Sequence, residues 1–154
     1  MDTKLDIGLK YKKEKTVTEK DTAAALGSGG VEVFSTPMMV ALIENTCLEA
    51  VENKLPEGYS TVGIHLNVSH IGATKVGKKV WAEVELIDQD RKKLIFKVET
   101  FDEDKKIGEG THERFIIDVE KLHGDFVRFS FGRNLQSSEV IYKFTKNSYS
   151  VDLI

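Results

Sequence analysis

The stretch from Ser35 to Asn53, STPMMVALIENTCLEAVEN, decides the architecture, because it begins like a helix and then offers almost no polar face. Thr36 is a good N-cap, and Pro37 fits the first helical position, where its missing N–H is no loss. Asn45, Glu49 and Glu52 fall at i, i+4 and i+7 as a narrow polar stripe. Met39, Val40, Leu42, Ile43, Cys47, Leu48, Ala50 and Val51 take most of the remaining circumference. A helix this apolar must be wrapped by other elements.

The downstream sequence supplies the wrapping. Tyr59 to Ile71, Lys79 to Asp88, Lys92 to Phe101 and Ile107 to Val119 are strand-like, with apolar residues alternating as in Val80, Ala82, Val84 and Leu86, then Leu94, Phe96 and Val98. The turns Asp88 to Arg91 and Asp102 to Lys105 are short and charged, as between antiparallel neighbours. The expected class is α+β, a long central helix lying on a curved antiparallel sheet. Upstream, residues 11 to 19 read as a charged edge strand, followed by a helical turn near Thr22 to Leu26. Gly27-Ser28-Gly29-Gly30 then reads as a mobile loop. A phosphate loop is excluded there, because the spacing and the lysine-serine ending are missing.

A chain of 154 residues with 40% hydrophobic and 31% charged residues and 2 prolines is an ordinary globular protein, most simply one domain. The net charge of -3, without a basic stripe, gives no reason to expect nucleic acid. No signal-peptide core opens the sequence and no stretch approaches the ~20 apolar residues of a membrane helix, so the expected location is the cytoplasm, with no membrane partner. The single cysteine, Cys47, fits a reducing compartment, and its apolar neighbours favour an inert thiol over a nucleophile.

Three polar residues interrupt this apolar pattern. Thr36 stands at the helix start, Glu44 within the helix and His70 on the following strand. Glu44 lies about 100° around the helix from Asn45, among Val40, Ala41, Leu48 and Val51. A carboxylate buried there needs a partner, a water-filled site or a raised pKa; the plainer reading is a rim glutamate with a solvated tip. Helix geometry alone leaves both open. Strand alternation puts Val62, Ile64, Leu66, Val68 and His70 on one face, so the histidine ends an apolar series as either a hydrogen-bonded structural residue or a functional one. His65 points to the other face, and no cluster has metal-binding spacing; no metal is expected.

Together these segments carry a resemblance. VFSTPMMVALIE from Val33, VGIHLNVSHIGATKVG from Val62 and VWAEVEL from Val80 are similar to the hotdog-fold acyl-CoA thioesterases, specifically the fluoroacetyl-CoA thioesterase-like family, over roughly residues 10 to 120. The family's catalytic threonine, glutamate and histidine match Thr36, Glu44 and His70, and a glycine and an arginine of the family match Gly63 and Arg114. The resemblance implies a hotdog fold assembled at least as a homodimer, with acyl-CoA bound near the subunit interface and no cofactor beyond the CoA of the substrate. It also implies a hotdog domain over residues 1-120, leaving 121-154 as a C-terminal extension.

Residue chemistry agrees with that implication. Glu44 is suited to attack a thioester carbonyl, or Glu44 or His70 to deprotonate an attacking water, and His70 then to protonate the leaving thiolate, with Thr36 orienting the attacking group. Amides at the helix start, from Met38 onward, are candidate oxyanion donors. Gly63 allows close backbone approach, while Arg114 holds substrate or orders the carboxylate; without the resemblance, Arg114 reads as a surface ion pair with Glu113 or Asp118.

Two departures narrow the expectation. In the fluoroacetyl-CoA enzyme, phenylalanines before the catalytic threonine form a lid, whereas here that segment is Gly27-Ser28-Gly29-Gly30, which argues against fluoroacetyl specificity. The extension carries Phe126, Phe129, Phe131, Tyr142, Phe144 and Tyr149, an aromatic content suited to packing on the same or a neighbouring subunit. Arg128, Arg133, Lys143 and Lys146 beside them leave a minor alternative, contact with single-stranded nucleic acid or the CoA nucleotide. The leading expectation is hydrolysis of a small or medium acyl-CoA. The alternatives are a non-catalytic acyl-thioester-binding module and a dehydratase or hydratase, the last disfavoured because no H-P-x-H-x-D-type segment is present.

Overall fold

The computed structural model describes residues 3–123, 140–145 and 148–153. The chain forms two compact units, Met1–Val119 and Glu120–Ile154. In the second, β6 (Val140–Thr145) and β7 (Ser148–Leu153) pair as an antiparallel hairpin. Of the extension residues singled out above, Phe126, Phe129, Phe131, Arg128, Arg133 and Lys146 lie outside the described residues.

The first unit is a five-stranded antiparallel sheet carrying one long helix. Strands β1 (Lys10–Thr16), β2 (Tyr59–His70), β3 (Lys79–Asp90), β4 (Lys93–Asp102) and β5 (Lys106–Asp118) lie in the order β1-β3-β4-β5-β2, so β1 and β2 are the edges. Each strand sits within one to three residues of its sequence-based bounds, because period-two alternation and charged turns agree. Val80, Ala82, Val84 and Leu86 of β3 and Leu94, Phe96 and Val98 of β4 are all buried. Helix α2 (Thr36–Glu52) lies on them through Met39, Leu42, Ile43, Cys47, Ala50 and Val51. Fully burying a side chain of this size contributes about 1.5–3 kcal/mol, which orders a helix that would be marginal alone.

The short helix α1 (Ala23–Leu26) is capped by Thr22, whose Oγ1 accepts from the Ala25 amide at 3.1 Å. Gly27 ends it in the left-handed region, at φ 68°. The glycine segment is not a free loop: the Ser28 amide donates to the Ala23 carbonyl, and the Ala24 amide to Val31.

Two expectations are corrected. Wrapping is one-sided, since Val40 and Leu48 are only half-buried and Ala41 is exposed. And β2 does not alternate regularly. A bulge between Gly63 and His65 shifts its register against β5, so Thr61 and Gly63 face α2 with Leu66, Val68 and His70, while Val62 and Ile64 are 38% and 51% exposed.

Candidate active site

Helix α2 begins one residue earlier than its sequence suggests. Ser35, not Thr36, is the N-cap: its Oγ accepts from the Met38 amide at 3.3 Å and its carbonyl from the Met39 amide at 3.0 Å. Ser35 wins because it is buried and anchored, its own amide donating to the Asp21 carbonyl. Thr36 therefore occupies the first helical turn with its hydroxyl free of capping. Its Oγ1 lies 2.9 Å from His70 Nδ1, either atom donating according to the imidazole tautomer. The same cap occupies the Met38 and Met39 amides, so the expectation that they serve as oxyanion donors is not met in this state.

His70 ends β2 paired with Gly108 and stands edge-on to buried Phe34, ring centres 6.3 Å apart. Its Nε2 is buried with no partner in hydrogen-bonding geometry. Burial lowers the His70 pKa, offset only in part by the Gly72 backbone, so the ring is poised to be neutral with one nitrogen uncommitted. A cleft of about 310 Å³ opens beside Thr36 and His70, lined also by Ala23, Ser28, Val33, Phe34 and Ile71. The concavity at the β1–β3 edge is different in kind, holding paired charges such as Lys10–Glu85 at 3.7 Å and Lys12–Glu83 at 3.6 Å.

Glu44 belongs to a second cluster. Its side chain is 45% exposed, so the single chain does not bury this carboxylate, and Oε1 lies 3.8 Å from His112 Nε2. Gly63 sits directly beneath: a Cβ there would lie 2.5 Å from Glu44 Oε1 and 3.0 Å from His112 Cε1. Arg114 is not a surface ion pair. It is 5% exposed, Nε donates to Thr61 Oγ1 and Nη2 to the Thr61 carbonyl, both at 2.8 Å, and Nη1 donates to the Glu44 carbonyl at 3.3 Å. Glu113 pairs with Lys93 instead, at 3.5 Å. The period of β5 places His112, Arg114 and Ile116 on the helix side, where all three are buried.

The structure thus brings Thr36 to His70, and Glu44 to Gly63 and Arg114, but does not join the two groups within one chain. Thr36 and Glu44 are about 12 Å apart along α2, at 1.5 Å per residue. Gly63 and His70 are roughly 20 Å apart along β2. His112 and Thr61 were not singled out by sequence reasoning; the alternation of THERFI from Thr111 was the available signal. Among the described residues no group of three or more histidine, cysteine, aspartate or glutamate side chains is arranged to hold a metal. Cys47 is buried, and burial pushes its thiol up to about 12, so it is no nucleophile as it stands.

The profile of the fluoroacetyl-CoA-specific thioesterase family, FlK, matches residues 17–120. The chain belongs to this family. The fluoroacetyl-CoA thioesterase of Streptantibioticus cattleyicolor is 37% identical over 92 residues, which span 60% of this chain and 66% of that relative, just under two thirds. A solved structure of the fluoroacetyl-CoA thioesterase FlK superposes with a TM-score of 0.76 at 29% identity, covering 81% of this chain and 97% of that one. A variant of FlK in complex with fluoroacetate and CoA gives 0.73 at 31% identity, covering 77% and 99%. A thioesterase superfamily member of Thermus thermophilus, at 24% identity and a TM-score of 0.75 over 81% and 93% of the chains, shares the fold. The α+β hotdog architecture and thioester-hydrolase family expected from the sequence are therefore both found. In FlK-family terms, the matched segment contains both clusters, including Thr36, Glu44, Gly63, His70 and Arg114.

Proposed function

We propose that this chain hydrolyses a small or medium acyl-CoA to the free acid and CoA, with Glu44, His70 and Thr36 as the catalytic residues. Glu44 attacks the thioester carbonyl and the C–S bond breaks, releasing the CoA thiolate; neutral His70 then takes a proton from the water that cleaves the acyl–Glu44 anhydride and passes it to the thiolate. In the other form of the step, Glu44 deprotonates the attacking water directly. Gly63 gives the acyl group room beside Glu44, and Arg114 fixes the Glu44 backbone. No cofactor takes part beyond the CoA of the substrate.

The observation that carries this reading is the Thr36–His70 pair at the mouth of a cleft, with an uncommitted imidazole nitrogen. The working unit is a homodimer or a higher homo-oligomer. Supporting this, β2 is an open sheet edge with Val62 and Ile64 exposed, and the α2 face bearing Ala41 and Glu44 is uncovered. Two copies meeting there bring the Thr36–His70 pair of one toward Glu44 of the other. No described helix is long and apolar enough to cross a membrane, and we place the enzyme in the cytoplasm, without nucleic acid as partner.

Thiol release from a panel of acyl-CoAs, short to long and branched to aromatic, tests the proposal. The glycine segment at Gly27 predicts no preference for fluoroacetyl over acetyl. Glu44→Gln and His70→Ala should each lower turnover by at least ~10²-fold; undiminished turnover in both refutes the site.

A further inference from the structure

Arg114 and the Glu44 carboxylate share one cluster, yet they do not pair. Arginine beside a carboxylate ordinarily takes it in a bidentate fork. Here the guanidinium donors go to Thr61 Oγ1, the Thr61 carbonyl, the Glu44 main-chain carbonyl and His112 Nε2, the last at 3.2 Å. Among the described residues, the nitrogen within ion-pair distance of the Glu44 carboxylate is His112 Nε2, at 3.8 Å.

His112 has a defined tautomer. Its Nδ1 lies 2.9 Å from the His65 carbonyl oxygen, which can only accept, so Nδ1 carries the proton. Nε2 is then a lone pair, and Arg114 Nη1 donates to it. The ring is 1% exposed and has Glu44 from α2 and Arg114 and Glu113 from its own strand as charged neighbours. Burial, with Arg114 adding to it, keeps the ring in its neutral form against the opposing pull of the His65 carbonyl and the two glutamates.

We infer that His112 is a positioning residue of the thioesterase site: its neutral Nε2 holds Arg114 Nη1 away from the Glu44 carboxylate, which stays unneutralised and able to attack or to accept a proton. A carboxylate locked in a guanidinium fork is a weaker base and nucleophile. Without the His112 acceptor, the freed Nη1 donor turns to Glu44. The inference rests on the assignment of Glu44 to catalysis made above.

Glutamine at 112 keeps an acceptor near the place of Nε2, whereas asparagine keeps only a donor near Nδ1. The experiment measures acyl-CoA hydrolysis by His112→Gln, His112→Asn, Glu44→Gln and the Glu44→Gln/His112→Asn double variant of the full chain, with rates expressed per folded protein from circular dichroism. His112→Ser replaces asparagine if that variant does not fold. Expected are a kcat for His112→Asn lower by about 10- to 100-fold with KM changed less than about threefold, and His112→Gln within about threefold of the parent. The double variant should be no slower than Glu44→Gln alone. A folded His112→Gln as slow as His112→Asn overturns the inference, as does a His112→Asn loss that multiplies onto that of Glu44→Gln. An undiminished rate in His112→Asn overturns it too. Full turnover by Glu44→Gln removes the catalytic assignment itself, and the positioning role with it.

Discussion

Thr36 Oγ1 and His70 Nδ1 meet at 2.9 Å, tying the first turn of α2 to the last residue of β2. Ser35 caps the helix, so this hydroxyl serves no capping purpose. Thr36→Ala should lower turnover by about 10-fold or more, since a hydrogen bond is worth about 0.5–1.5 kcal/mol and its loss also frees the imidazole to rotate. Because Thr36 is exposed, stability should change by less than about 0.5 kcal/mol. Ser35→Ala should do the reverse in stability, costing about 1 kcal/mol through the unsatisfied Met38 amide. Urea titrations and thiol-release kinetics on the two variants separate cap from site.

Gly63→Ala should cost activity more than stability. The added methyl lies 2.5 Å from Glu44 Oε1, the far end of a half-exposed side chain that can swing away. His112, buried and bonded at both nitrogens, cannot move as easily. Displacing the Glu44 carboxylate should lower kcat at least about 10-fold, as misplacement of a reacting group by 1 Å commonly does. A variant that unfolds earlier but turns over normally would show that Gly63 serves the bulge alone.

Arg114→Met should be among the more damaging single changes to folding. It removes the donors to four acceptors, Thr61 Oγ1, the Thr61 carbonyl, the Glu44 carbonyl and His112 Nε2, in a site where Thr61 and Arg114 are both 5% exposed. Buried unsatisfied groups cost about 1–3 kcal/mol each, so a loss of about 3 kcal/mol is expected in urea unfolding. Arg114→Lys should recover only part of it, because an ammonium cannot reproduce the planar fork toward Thr61.

Much of this arrangement was legible in the sequence. The alternation in β3 and β4 and the apolar circumference of α2 give the layers directly, because burial and periodicity agree there. The β2 bulge was not legible: one extra residue leaves no mark in VGIHLNVSH, yet it reverses which of Thr61, Val62, Gly63 and Ile64 face the helix. Ser35 and Thr36 are both good caps, and only the Ser35 amide's anchor on Asp21 decides between them. Of the two readings open for Glu44, the rim glutamate is the one found, and the choice was not legible because the sequence does not say which part of a helix a single chain leaves uncovered. His112 escaped notice beside Arg114, although both lie on the inward face of β5.

Acid should weaken the fold before the carboxylates titrate. Burial lowers the pKa of His70 below its ordinary 6.5, with the Gly72 backbone opposing. Burial likewise lowers His112, with the His65 carbonyl opposing and Arg114 reinforcing. The unfolded chain therefore binds protons that the folded one refuses, and stability falls as pH drops below about 6.5 toward the folded-state values. The carboxylates act later. Burial raises Asp21 and Asp102, but hydrogen bonds from Lys15 and Thr18 to the first, and from Thr74, Asp104 and Lys105 to the second, outweigh it and hold both below 3.8. Their contribution is complete above that value and is lost only in stronger acid. Urea unfolding at pH 8, 6.5, 5.5 and 4.5 should thus give a stability that is flat at first and then declines between 6.5 and 4.5. His112→Gln should shallow that decline without removing it, since His70 remains. An unchanged slope in the variant would mean that His112 takes up its proton as readily in the folded chain as in the unfolded one.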